Sequence, residues 1–185
     1  MTITQFLPDK STRGKILYDK IKPHIKDGMH FIDIGCAYAP LADHIRKDFP
    51  TATYFGFDSA GQLLPHCMAR HPHYTWKRIL VEEDSNFGVW IKDPIDFVLH
   101  IGVDADYWTA IWKVHQAILA EDHKPQFVLL ETGRKDGYEK CMDTLNRITT
   151  LYIEAGYKLV DTGQFDFDVD EECLRDRWYF ILKKQ

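Results

Sequence analysis

FIDIGCAYAPLADHIRKDFPTATYFGFD, residues 31–58, decides how this chain is read. Phe31, Ile32 and Ile34 form a short apolar run that stops at Gly35. Thr53, Tyr54, Phe55 and Phe57 form a second run that stops at Asp58. Aromatic and β-branched residues in runs this short favour strands. Between them Leu41, Ile45 and Phe49 mark one face of a helix. Pro40 suits the first turn of that helix, where its missing N–H removes no hydrogen bond. The segment therefore reads strand, tight glycine turn, helix, strand, with an acid (Asp33, Asp58) at or near the end of each strand.

The same alternation continues outward. Ile16, Leu17, Ile21 and Ile25 give residues 11–25 a helical face, with Ser11 or Thr12 as N-cap and Pro23 bending or ending it. Residues 61–70 read as a helix interrupted or begun near Pro65, and residues 74–81 as a third strand. IDFVLHI, residues 95–101, is apolar without alternation, which fits a strand covered on both faces. Trp108, Ile111, Trp112, His115 and Ile118 put a helix over 107–119. Residues 127–130 read as a buried strand, and residues 138–155 as a helix stopped by Gly156. The last strands are expected at 158–167 and 178–183. The segment between them, DVDEECLRDR, is too short for a usual crossover helix, so this pair is antiparallel. The expected fold is α/β: a single doubly wound seven-stranded sheet, mostly parallel with an antiparallel C-terminal strand pair, and helices on both faces. Residues 1–28 are expected to form an N-terminal helical segment or lid, and residues 29–185 the domain.

With 185 residues the chain has material for one core. Its net charge of −5 argues against broad nucleic-acid binding, which needs a basic surface. Four widely spaced cysteines read as reduced thiols, and the N-terminus lacks an apolar signal region. No apolar run approaches the ~20 residues of a membrane span. The expectation is a cytoplasmic protein without a membrane partner.

Gly35 permits a turn that a Cβ would strain and lets backbone approach a ligand closely. Asp58 lies 23 residues beyond it, where an acid can accept both hydroxyls of a ribose. A dinucleotide loop would need G-x-G-x-x-G for its pyrophosphate. Here Ala37 and Pro40 occupy the second and third glycine positions, which argues against an NAD-dependent oxidoreductase. A phosphate-free cationic nucleoside, with Asp33 near its positive charge, fits better.

In order and spacing, Asp33, Gly35, Ala37, Asp58 and Asp84 resemble the glycine-rich motif and the acids of the class I S-adenosylmethionine (SAM)-dependent methyltransferases, from residue 29 to residue 184. The single glycine departs from the two or three the family often carries. The resemblance implies SAM as cofactor and S-adenosylhomocysteine (SAH) as product. It implies cofactor contacts at Asp33, Gly35, Cys36, Ala37, Asp58, Ser59, Asp84, Ser85 and His100. His100 is also the candidate catalytic base, and Tyr107, Trp108 and Glu131 are candidate substrate-pocket residues. LHIGVD stands where methyltransferases of base amino groups carry NPPY, so a small-molecule acceptor, by preference a hydroxyl, is expected. The alternative is a non-catalytic binding or partner protein of the same fold.

Other motifs carry less. His66, Cys67, His71 and His73 match no zinc spacing and read as a surface helix end. Asp166, Asp168 and Asp170 open like a calcium loop, but Glu171 and Arg177 replace its glycine and its glutamate. They read as an acidic hairpin loop, and no metal site is expected.

Overall fold

Alternate side chains of the central strands enter two different cores. Phe31, Tyr54, Phe97, Leu99, Phe127 and Leu129 pack on one face of a sheet, and Ile32, Phe57, Val98, Val128 and Leu130 on the other. The computed structural model describes residues 12–80, 94–103, 108–120, 124–132, 138–169 and 172–185. The strands are β1 (His30–Ile34), β2 (Thr53–Asp58), β3 (Thr75–Arg78), β4 (Phe97–Val103), β5 (Phe127–Thr132), β6 (Tyr157–Val169) and β7 (Glu172–Lys184). The helices are α1 (Thr12–Ile21), α2 (Ala42–Asp48), α3 (Leu64–Arg70), α4 (Trp108–Ala120) and α5 (Tyr138–Glu154). A 3-10 turn, Lys22–His24, follows α1 at Pro23.

The sheet order is β3-β2-β1-β4-β5-β7-β6. All pairs are parallel except β5 with β7 and β7 with β6. The doubly wound seven-stranded sheet with an antiparallel terminal pair is therefore observed. Residues from α1, α2 and α3 share the first core, and residues from α4 and α5 the second. Strand order reverses between β1 and β4, and sheets of this kind bind ligands at the carboxyl ends of the strands beside such a point. Among the described residues, no helix is long and apolar enough to cross a membrane.

Two boundaries differ from the sequence reading. Helix α2 begins at Ala42, so Pro40 lies in the turn before the helix and not in its first turn. The final hairpin is much longer than expected: Phe167 pairs with Leu174, Asp168 with Cys173 and Val169 with Glu172. Most of the segment read as an acidic loop is strand. Phe165, Phe167 and Val169 keep a period of two beneath the acids that hid it. A bulge between Phe165 and Phe167 adjusts the register.

Gly56 in β2 leaves space that its neighbours fill. A Cβ there would meet the Trp76 ring at 2.4 Å and the Cys36 Sγ at 3.1 Å. Gly56→Ala is expected to destabilise the fold by about 1–3 kcal/mol through overpacking, read from the urea midpoint. An unchanged midpoint would contradict this packing.

Candidate functional site

The turn after β1 runs through the left-handed region three times. Gly35 has φ 66°, Ala37 φ 46° and Ala39 φ 50°. For a residue with a Cβ this conformation costs about 1–2 kcal/mol, so the surroundings must hold it. The Cys36 N–H donates to the Phe57 carbonyl at 3.0 Å, the Ala39 N–H to Cys36 at 2.6 Å and the Ala42 N–H to Ala39 at 3.0 Å. Ala37 takes the backbone state that a second glycine would otherwise supply.

This strained turn directs a backbone donor at Asp58. The Ala37 N–H donates to Asp58 Oδ2 at 2.8 Å, and the Ala60 N–H to Oδ1 at 2.7 Å. Asp58 ends β2, and only 9% of it is exposed. A carboxylate offers about four acceptor positions, so two remain for a ligand diol. The neighbouring Ser59 is exposed, and its carbonyl accepts from Arg78 Nε at 3.3 Å.

Asp33 lies behind the turn, buried on the same sheet face as Phe31 and Tyr54. The Tyr54 hydroxyl donates to its Oδ2. Burial pushes the Asp33 carboxyl up to about 7; the nearby Asp58 charge adds to the rise, while the Tyr54 hydrogen bond and Arg13 oppose it. At neutral pH this group is poised between its two protonation states.

At the ends of β4 and β5 a second cluster forms around the fully buried Glu131. Arg177 Nε donates to Oε1 at 2.7 Å and its Nη2 to Oε2 at 2.9 Å, a fork-to-fork pair. The Gly102 N–H donates to Oε2 at 2.8 Å, and Arg13 Nη2 also donates to Oε2. Burial pushes the Arg13 guanidinium below its ordinary value, and Glu131 opposes the fall. Gly102 has φ 83°, and a Cβ on it would stand 3.1 Å from the Arg13 guanidinium. One residue along α1, a Cβ on Gly14 would lie 2.9 Å from Pro40. The first turn of α1 thus touches both the glycine turn and the β4–β5 ends. Glu131, a candidate substrate-pocket residue in the sequence, anchors two guanidiniums here.

His100 faces the second core, where its neighbours are His115 on α4 and Tyr152 on α5. His100 Nδ1 lies 3.0 Å from His115 Nε2, and His115 Nδ1 lies 2.9 Å from the Tyr152 hydroxyl. All three are buried. Burial alone pushes His100 down to about 4, which makes it a weak proton acceptor at neutral pH.

Asp33, Gly35, Cys36, Ala37, Asp58 and Ser59 come together at the carboxyl ends of β1 and β2. Asp84, Ser85 and Tyr107 lie outside the described residues, and Trp108 opens α4. The sequence reading gave no role to Arg13, Tyr54 or Ala60, and read Cys67 only as part of a helix end and Arg177 only as a break in a calcium-loop pattern. Ala60 acts through its backbone, which side-chain chemistry does not signal. Arg177 sits among acids in the sequence, and its partner is 46 residues away. The reading of residues 66–73 as a surface helix end is corrected for two of them. Cys67 and His71 are buried, and His71 Nε2 stands 3.1 Å from Asp43 Oδ1.

No protein-family model and no curated protein sequence matches the chain. Solved structures do. The methyltransferase domain of a bacterial Hen1 is 15% identical over 93% of this chain and 97% of its own, with TM-score 0.65. Magnesium protoporphyrin IX methyltransferase from Synechocystis, solved with bound SAM, is 11% identical over 94% and 79%, with TM-score 0.64. Precorrin-6y C5,15-methyltransferase from Geobacter metallireducens is 14% identical over 93% and 86%, with TM-score 0.61. At these identities the likeness is one of architecture, and it agrees with the strand order and the antiparallel terminal pair: this chain has the Rossmann-like fold of the class I SAM-dependent methyltransferases.

Proposed function

We propose that this protein is a SAM-dependent methyltransferase that acts on a small-molecule acceptor, with a hydroxyl as the accepting group. The observation that carries the reading is the Asp58 carboxylate, oriented by the Ala37 and Ala60 N–H groups with acceptor capacity left over. A ribose diol uses that capacity. The loop from Gly35 to Ala37 would lie along the cofactor, and Asp33 would set the field beside its positive end. SAM has no phosphate, so the alanine and proline in the loop cost it nothing. When bound, it supplies an electrophilic methyl on a sulfonium.

The chain's own part is chiefly positioning, which can supply about 7–11 kcal/mol in well-oriented reactions. We assign His100 no part in proton transfer, because burial against His115 holds its proton affinity low. We place the acceptor beside Arg13 and Arg177, which Glu131 fixes at the ends of β4 and β5. The net charge of −5 and the LHIGVD segment support a small acceptor over a nucleic acid. Incubation with methyl-labelled SAM and a panel of phenols, sugars and carboxylates tests the proposal. Label in a hydroxylated acceptor supports it. Tight SAM binding with no transfer to any acceptor would favour the non-catalytic alternative.

The ionisation of Asp33 gives a pH test. A cation placed beside it favours the carboxylate, so binding releases a proton wherever the free protein still holds one. With the free group near 7, SAM affinity is expected to fall as pH drops from about 7, by up to tenfold per unit. Titrations at pH 6 and pH 8 check this, and Asp33→Asn should flatten the dependence. A pH-independent affinity in the unaltered protein would contradict the role given to Asp33.

A further inference from the structure

The structure brings together two cysteines that the sequence holds far apart. Cys36 lies in the turn between Gly35 and Ala37, and Cys67 lies in α3. Both belong to the first core and are almost fully buried. The Cys67 thiol donates to the Ala37 carbonyl at 3.3 Å. Each thiol bears on the other: Cys67, together with burial, raises the Cys36 thiol, and Cys36 lowers Cys67 from the ordinary thiol value. Cys67 is thus the thiol that more readily forms the attacking thiolate. Both are free thiols in this structure.

The position of this pair matters because the same residue, Ala37, faces both ways. Its carbonyl accepts from Cys67, and its N–H orients Asp58. A disulfide requires the sulfurs to close to about 2.05 Å, well inside a thiol–thiol contact. Closing it removes the Cys67 donor from the Ala37 carbonyl and draws the turn toward α3.

We propose that Cys36 and Cys67 form a reversible disulfide that switches the cofactor turn out of its binding shape. The effect on cofactor rests on the function proposed above; the disulfide itself does not. Oxidation by a small-molecule disulfide such as oxidised glutathione balances. When local opening of the turn and α3 exposes it, the Cys67 thiolate attacks one glutathione sulfur and releases the first glutathione thiol. Cys36, losing its proton, then attacks the Cys67 sulfur and expels the second. Two protein thiols lose two electrons, and one glutathione disulfide becomes two glutathione molecules.

The test uses the 185-residue chain, reduced and then treated with oxidised glutathione, followed by peptide mass mapping without reductant and by titration with SAH. The expected result is a cross-linked Cys36–Cys67 peptide, lighter by two hydrogens. SAH affinity should fall tenfold or more and be restored by dithiothreitol. Bound SAH should slow the oxidation. Cys67→Ser, which keeps a donor for the Ala37 carbonyl, should lose sensitivity to the oxidant. Free Cys36 and Cys67 after treatment, or linkage to Cys141 or Cys173 instead, would overturn the disulfide. A Cys36–Cys67 disulfide with unchanged SAH affinity would overturn the switch. Failure of the reduced protein to bind SAH would count against the proposed function, while the mapping would still decide the disulfide.

Discussion

Replacing Glu131 by alanine is expected to cost the fold about 3–5 kcal/mol, the usual effect of removing one partner from a buried ion cluster. The residue is fully buried and receives four donors: two from Arg177, one from Arg13 and one from the Gly102 N–H. Without it, two guanidiniums stay close together in a poorly solvated place, and neither can shed its charge. Domains of this size are stable by about 5–15 kcal/mol, so the loss approaches a large share of the total. Because Arg13 belongs to α1, the damage should spread to the N-terminal helix and expose its amides to hydrogen exchange. Glu131→Gln keeps the shape and one acceptor, and should fall between the two. Urea unfolding of the three proteins measures the effect; a loss below about 1 kcal/mol for alanine would mean that the cluster is solvated and holds nothing together.

Asp58→Ala is expected to weaken SAM binding by about 100-fold or more while leaving a folded protein. Hydrogen bonds to a charged acceptor contribute about 1.5–3 kcal/mol each, and a ribose diol makes two. The same change frees the Ala37 and Ala60 N–H groups from their acceptor, so the strained turn also loses its guide. Asp58→Asn keeps one acceptor oxygen and should lose less. Circular dichroism and thermal unfolding of each variant separate lost affinity from lost structure. An Asp58→Ala protein that folds and binds SAM as before would remove Asp58 from the site.

Much of this was legible in residues 31–58. Apolar runs of five or six residues ending at Gly35 and Asp58 are strong local signals, and alternation with helices fixed the sheet type. The antiparallel end followed from the short link between the last two strands. That link itself was misread because its acids, at 168, 170, 171, 172 and 176, mask what is mostly a strand. Its pairing, Phe167 with Leu174 and Val169 with Glu172, is a property of two segments together.

The site was legible in part for a similar reason. Asp33, Gly35 and Asp58 announce themselves by position at the ends of strands. The Ala37 N–H, the Ala60 N–H and the positive φ of Ala37 belong to the backbone and leave no mark on residue type. Arg13, Glu131 and Arg177 come from three distant parts of the chain, and only the sheet order brings them together. His100 shows the limit of residue chemistry most clearly. A histidine in the middle of β4 looks like a base, yet strand alternation turns it toward His115 and Tyr152 in the second core.

Calorimetric titration of the purified protein with SAM, SAH and NAD decides which cofactor the Asp58 turn accepts. Micromolar binding of SAM and SAH, an affinity of about 8 kcal/mol, with no binding of NAD, is the result expected of a site built on Asp58 and a phosphate-free turn. Binding of NAD, or of none of the three, would contradict it.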